Sequence, residues 1–563
     1  MNSRLRTLLV LYLILLILGT WAGNCGLSSE VAIASTESEV VGLVSGESAY
    51  DYDLQLEKMT LDHTISHYSF RSAGSTGATA SAEWLVEAFN RTGLESYTET
   101  FEFTTWGLIS PPSLVLDIDN DPATAGDQIK LASFTPKHLG WPTGRDGIFG
   151  QIVLLPLPEH GEDFPQGFWD EIGIKSKIVL VGREFGSVRS WRENYVAKIA
   201  SEPPLAIVQT WWFSNNSWIP TYSGSQEGRL YAPRGLELRY WDLKIPVGMV
   251  NYDDGLRIRK LAERPPVSAR VVVDAVIGQG SHYNVIGKLD GLDPSKIIII
   301  SSHYDTVVTA GFGDNGAGTA GLLELARVFA AAKTRGIYTP PYTLMFVAFA
   351  AEELWLIGSS YFVKQHESEL GKVLGVINMD PIGSERLMVS ESPSTLDETV
   401  GLAARELATP IMTVPQNEAS SDNWSFELPD QRDGAIRWAW GLELGLSDIA
   451  PTPAVWLGSE PLLWNEISSG KAGWIHTPYD NSTSTEAYGW MKPENLETHL
   501  RVAAVSVLRL APSMSQETRS STLTTETATP NPVVSYAMYA LVPVVLAVAA
   551  VLFIIKTKRP ARS

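Results

Sequence analysis

Residues 296–305 read KIIIISSHYD and residues 343–353 read TLMFVAFAAEE. Each is an unbroken apolar run that ends on an imidazole or a carboxylate. A third stretch, VLGVINMD at 373–380, repeats the arrangement. A strand with one wet face alternates apolar and polar residues. Continuous runs of this length instead mark strands covered on both faces. Residues 296–301, 343–350 and 373–379 are therefore expected to be buried parallel strands. Between the first two, Leu322, Leu325, Ala326 and Phe329 recur at helical spacing, predicting a helix over 317–333. Leu85, Ala88 and Phe89 predict another over 81–92, with Gly93 as its C-cap. Strand–helix–strand alternation gives an α/β fold with a central, mainly parallel sheet.

Residues 108–277 have a different texture. They are rich in Pro, Gly and Trp, with short strand candidates at 152–155, 177–181 and 246–250. They are expected to form a separate, mainly β unit inserted into the α/β domain. That domain is then discontinuous, over 51–107 and 278–512.

The ends of the chain carry further signals. Arg4 and Arg6 precede an apolar run from Leu8 to Ala22, so 1–25 reads as a signal peptide or signal anchor. Residues 513–535 are rich in Ser, Thr and Pro and read as an extended stalk. Residues 536–555 carry no charge, long enough as a helix to cross ~30 Å of hydrocarbon. Pro543 within them is tolerable in a membrane helix. Lys556, Lys558, Arg559 and Arg562 follow in a basic tail, 556–563. The positive-inside rule puts that tail in the cytoplasm and everything before the stalk outside the cell membrane. Sequons at Asn90, Asn215, Asn423 and Asn481 agree weakly with this orientation.

Composition excludes several classes. A formal net charge of −20 offers nothing to neutralise phosphate, which argues against nucleic acid as a partner. The single cysteine, Cys25, rules out an intramolecular disulfide and any cysteine-rich zinc site. A metal here must be held by His and carboxylate.

Such groups lie where the predicted strands end: His303 and Asp305, then Asp314; Glu352 and Glu353; Asp380; and, much later, His476 and Asp480 in HTPYD. Functional groups of open α/β sheets gather at the carboxyl ends of strands. Any one of these residues alone reads as a structural histidine, a solvated loop or a helix cap. Together, crowded carboxylates would repel and take up protons unless a cation sat among them. Two histidines with several carboxylates suit Zn²⁺ or another divalent first-row metal. Asp305 and Asp480 are spaced to accept the second ring N–H of His303 and His476. The remaining histidines, His63, His67, His138, His160, His282, His366 and His499, have no such neighbours and read as structural or surface.

The ordered set His-x-Asp, Asp-Asn-Gly, Glu-Glu, Asn-Met-Asp and His-Thr-Pro-x-Asp resembles the co-catalytic zinc exopeptidases, over about 51–107 and 280–510. YNVIG at 283–287 is similar to the family's lead-in to the first strand, and SDNWSF at 421–426 to an element near its substrate. Residues 108–277 resemble a protease-associated domain, most clearly KIVLVGR at 177–183 and residues 245–254. The resemblance implies a three-layer domain holding two zinc ions per chain. His303 and Asp380 would bind one and Glu353 and His476 the other, with Asp314 bridging. Glu352 would be the general base, Asp305 and Asp480 would support the histidines, and Asp422, Asn423 and Tyr479 would line the substrate pocket. It implies peptide substrates cut at a chain end, more often the amino end than the carboxyl end. Related folds also include single-zinc glutaminyl cyclases and non-catalytic receptor-like chains; the full ligand set here favours the peptidase. Two departures stand out. Asn423 occupies a position where the family often has His, and an insert over about 427–450 precedes a strand expected at 454–457.

Overall fold

The structure is a computed structural model. It describes residues 35–510 apart from 64–70, 122–126, 137–139, 156–165, 183–188, 211–243, 264–266, 308, 417–420, 460–474 and 477–478. The N-terminal apolar run, the stalk, the C-terminal apolar stretch with its basic tail, Asn215, His67, His138 and His160 lie outside the described residues. Among the described residues, no helix is long and apolar enough to cross a membrane.

Two eight-stranded sheets organise the chain. The strands of the first are β1 (Glu95–Leu108), β2 (Ala275–Leu289), β3 (Asp293–His303), β4 (Tyr342–Phe349), β5 (Val373–Met379), β6 (Leu387–Ser390), β7 (Ile411–Val414) and β8 (Ala454–Ser459). Their spatial order is β1-β2-β4-β3-β5-β8-β6-β7. The four central strands β4, β3, β5 and β8 run parallel. Antiparallel strands flank them, β2 beside β4 and β6 beside β8. The continuous apolar runs are thus the buried centre of the sheet, as their composition requires.

Alternate residues along those runs face opposite ways. Ile298, Ile300, Leu344, Phe346 and Ala348 join one apolar cluster with helices Thr76–Thr92, Gly318–Thr334 and Pro493–Leu510. Ile297, Ile299, Met345, Val347 and Phe349 join a second with Phe362, Phe426 and Ile436. Helix Thr76–Thr92 starts five residues before the apolar periodicity does, because the Ser75 side chain accepts from the Ala78 N–H and caps it. It ends at Gly93, which takes the left-handed conformation (φ 90°) expected of a C-cap.

The second sheet is built from strands lying between β1 and β2 in the chain, from Ser113–Asp117 to Ser268–Val272. It is more mixed than the expected β unit. Ile178–Gly182, Ala206–Thr210 and Val247–Val250 run parallel, and parallel neighbours need crossover connections. Helix Arg189–Ser201 lies between the first two, and its polar sequence RSWRENYVAKIAS hides it from a periodicity reading.

Candidate metal centre

Register brings the ends of the central strands to one level. His303, the last residue of β3, pairs with Phe349 at the end of β4, and Met379 at the end of β5 pairs with Leu457 of β8. Glu352, Glu353 and Asp380 therefore emerge beside His303. From β3 the chain crosses to β4 on one side, and β5 lies on the other. A reversal of this kind opens a crevice beyond the carboxyl ends of the strands.

Asp314 arrives from the same direction. It sits in the turn Phe312–Ala317 that opens helix Gly318–Thr334. Asn315 pins that turn to β5: its Nδ2 donates to Met379 O (2.8 Å) and its Oδ1 accepts from Gly318 N (2.9 Å). The Asp314–Asn315 peptide bond is cis. Asp480 holds the turn from the other side, accepting from the backbone N–H of Gly313 (2.6 Å) and of Asp314 (3.3 Å).

The donor atoms fall into two trios sharing Asp314: His303, Asp314 and Asp380, and Asp314, Glu353 and His476. Within each, the ligand atoms lie within 4.8 Å of one another. His303 Nε2 lies 3.3 Å from Asp314 Oδ1 and 3.2 Å from Asp380 Oδ1. His476 Nε2 lies 2.9 Å from Asp314 Oδ2 and 3.1 Å from Glu353 Oε1. One N–H cannot point at two carboxylates at once. Donors ~2.0–2.1 Å from a common tetrahedral zinc stand about 3.3 Å apart, which is close to this spacing. The donor chemistry and the spacing both fit zinc. Glu352 belongs to neither trio; its Oε2 stands 4.0 Å from His303 Nε2 and its side chain is 13% exposed.

The charges are out of balance. Burial pushes the His303 imidazole down, but Asp380, Glu352, Asp305 and Asp314 outweigh it and hold its pKa well above 6.5. His476 is likewise raised against its burial, by Glu353 and Asp314. Burial pushes Glu352 well above the usual carboxylate range, with Asp380, Glu353 and Asp422 adding to it against His303. Burial, opposed by His476, lifts Glu353 to about 7. The same cause lifts Asp422 to about 7, with His303 opposing it. Carboxylates driven toward neutrality by burial first, and by one another next, fit a cluster shaped for a cation.

The other predicted residues divide. Asp305 is fully buried; its backbone carbonyl, rather than the expected carboxylate, is the nearer partner of His303 Nδ1 (3.1 Å, against 3.5 Å to Oδ1), and its Oδ1 accepts from Glu352 N (3.2 Å), tying the two strand ends together. Asp480 spends its carboxylate on the backbone of the Asp314 turn, as described above. Asp422 is buried near His303, Asp380 and Glu352. Ser359 is close enough to favour its ionised form, yet neither of its oxygens has a partner in hydrogen-bond geometry. Asn423 is buried with Nδ2 on Glu427 Oε2 (3.1 Å). Its sequon is therefore inaccessible in the fold. Tyr479 is half-buried in the His476–Asp480 loop.

Among the histidines read as structural, His282 and His499 are buried and held by burial at about 4 and about 3. His282 Nε2 sits 3.0 Å from Tyr304 Oη, and His499 Nδ1 accepts from Gly383 N (3.0 Å).

Arg71 is the residue the sequence reading missed. It is fully buried and donates to Tyr304 O, Thr60 Oγ1 (2.6 Å), Ala310 O (3.2 Å) and Gly311 O (2.9 Å). It thereby fastens helix Gly46–Asp62 to the loop that runs from His303 to Asp314. Its charge faces Asp53, Asp480 and Asp305. No local pattern marks it, because every partner is distant in sequence.

The profile of Peptidase family M28 matches residues 284–490. The chain is 32% identical to an aminopeptidase of Pseudomonas aeruginosa over 331 residues, 56% of this chain and 54% of that one. It is 34% identical to leupeptin-inactivating enzyme 1 of Streptomyces exfoliatus over 149 residues, 26% of this chain and 33% of that one. It is 27% identical to aminopeptidase YwaD of Bacillus subtilis over 341 residues, 59% and 62%. The chain thus spans about half the length of the curated relatives it matches. In fold it is similar to BSAP, a zinc aminopeptidase from Bacillus subtilis (TM-score 0.56, 19% identity, 83% of this chain and 95% of that one). It is also similar to a Peptidase M28 precursor from Shewanella amazonensis (TM-score 0.57, 17% identity, 85% and 97%). The stretch that matches the Peptidase family M28 profile, residues 284–490, contains both histidine–carboxylate pairs and the aspartate they share, on a mixed α/β fold similar to that of zinc aminopeptidase structures.

Proposed function

We propose that the protein is a di-zinc aminopeptidase. One observation carries the reading: Asp314 offers Oδ1 toward His303 and Oδ2 toward His476, as a carboxylate shared between two metals must. His303 and Asp380 would hold one zinc, Glu353 and His476 the other, and Asp314 both. Bound zinc supplies Lewis acidity, lowering the pKa of water and polarising the scissile carbonyl. Glu352, outside both trios with a raised pKa, takes the proton of the attacking water on a carboxylate oxygen. It returns that proton to the leaving amine. Asp305 holds the His303 ring and the Glu352 backbone in register.

Asp422 supports attack from the amino end. A buried carboxylate without a hydrogen-bond partner is suited to a substrate ammonium. A panel of one tripeptide, with its N-terminus free or acetylated and its C-terminus free or amidated, tests this with and without chelator. Acetylation should abolish cleavage and amidation should not. Cleavage of the acetylated, free-acid peptide would reverse the direction.

The proposal extends to placement. Residues 108–277 act as a protease-associated domain and 536–555 as the membrane anchor, after removal of 1–25. The catalytic part then faces outside the cell and 556–563 the cytoplasm.

A further inference from the structure

Residues 427–450, the insert relative to the zinc exopeptidases, pack against the turn that follows β4. That turn is unusual. Ala351, Trp355 and Leu356 have φ of 58°, 76° and 58°. Bulky non-glycine residues hold the left-handed region only where their surroundings over-determine it. Within the turn, Leu356 N donates to Glu352 O (2.8 Å) and Ile357 N to Ala351 O (3.0 Å). From outside, helix Pro429–Trp440 supplies two buried side-chain donors. Arg432 Nη2 donates to Trp355 O, and Trp440 Nε1 to Leu354 O (2.8 Å). Those are the two carbonyls directly after Glu353. The helix is itself anchored: Ile436 packs in the cluster with Phe349, Phe362 and Phe426, and Asp433 Oδ1 accepts from Leu446 N (2.9 Å).

We propose that helix Pro429–Trp440 is a brace that sets the turn bearing Glu352 and Glu353, with Arg432 and Trp440 as positioning residues for hydrolysis. This rests on the reading of Glu352 as the base. The insert sequence conceals the role, because both donors reach the main chain of a segment some eighty residues earlier (|i−j| 77 and 86).

The test uses the full-length zinc-loaded chain. Arg432→Met and Trp440→Phe each remove one donor. Ile436→Val trims one methyl from the same helix and leaves both donors in place, and Arg432→Lys restores a donor. A misplacement of ~1 Å at a reacting group can cost 10²-fold. Each donor-removing variant should therefore lower kcat about tenfold or more with KM within about twofold. Amide exchange at Leu356 and Ile357 should quicken. Ile436→Val should change neither readout, and Arg432→Lys should recover part of kcat. Wild-type kcat and wild-type exchange in both donor-removing variants would overturn the brace. So would an equal kcat loss in Ile436→Val. Exchange is read independently of turnover. A wild-type chain without peptidase activity would therefore sink the role of Glu352 and leave the brace to be decided by exchange alone.

Discussion

Replacing Arg71 with methionine keeps most of the side-chain volume and removes every donor and the charge. The backbone carbonyls of Tyr304 and Ala310 lose their partner at a fully buried site, while Gly311 O keeps the Gly316 N–H (3.0 Å) and the Thr60 hydroxyl keeps Leu56 O (3.0 Å). At the low end, each stranded buried carbonyl costs about 1 kcal/mol. The carboxylates facing Arg71 lose their countercharge as well. Asp53 is already pushed well above the usual range by burial, with Arg71 opposing that shift. Two stranded carbonyls at about 1–3 kcal/mol each place the loss at roughly 2–6 kcal/mol, a large share of the ~5–15 kcal/mol that holds a typical domain. Urea unfolding followed by tryptophan fluorescence and by circular dichroism reads this, with coincident transitions required for a single free energy. Arg71→Lys, which keeps the charge but not the planar fork, should lose an intermediate amount. A loss below about 1 kcal/mol in Arg71→Met would refute the claim that this guanidinium fastens the loop from His303 to Asp314.

Three further outcomes are expected. Glu352→Gln should retain its zinc, since Glu352 is in neither trio, and lose at least ~10²-fold in kcat; unchanged turnover would remove it as the base. Gly316→Ala would place a Cβ 2.1 Å from Asp53 Oδ1 and 2.7 Å from Gly311 O. It should cost about 1–3 kcal/mol in unfolding free energy by overpacking. His366 lies 2.8 Å from Glu99 and 3.2 Å from Glu369; burial lowers its pKa, but the two carboxylates raise it overall above 6.5. A folded pKa above the unfolded one stabilises fully below the unfolded value and is lost as pH rises through the folded value. His366→Gln should therefore cost more thermal stability near pH 5.5 than near pH 9, and equal costs at both would refute the pairing.

What could be read without coordinates follows a physical divide. The central strands were legible because burial on both faces leaves a continuous apolar run, and chemistry placed just past such a run must gather at the sheet edge. His303, Glu353 and Asp380 are direct consequences. Asp314, in an irregular turn, and His476, more than 90 residues beyond Asp380, were legible only as members of an ordered family pattern. The supporting residues were not legible. Arg71, Arg432 and Trp440 act on main-chain atoms far away in sequence, and a carbonyl acceptor leaves no trace in residue type. Asp480 shows the same limit from the other side: its spacing pointed to the His476 ring, whereas its carboxylate caps two backbone N–H groups of the Asp314 turn. Helix Arg189–Ser201, between two strands of the second sheet, is hidden from a periodicity reading because its sequence is too polar to show a clear apolar stripe.

The shared carboxylate is the central claim, and counting metal tests it most directly. Zinc per chain should be measured after exhaustive dialysis in the wild-type chain, Asp380→Asn and Asp314→Ala. Two sites sharing Asp314 predict two zincs in the wild type, about one in Asp380→Asn, and fewer than one in Asp314→Ala, because that change strips a ligand from both trios at once. A single zinc in the wild type, or two zincs retained by Asp314→Ala, would contradict the account.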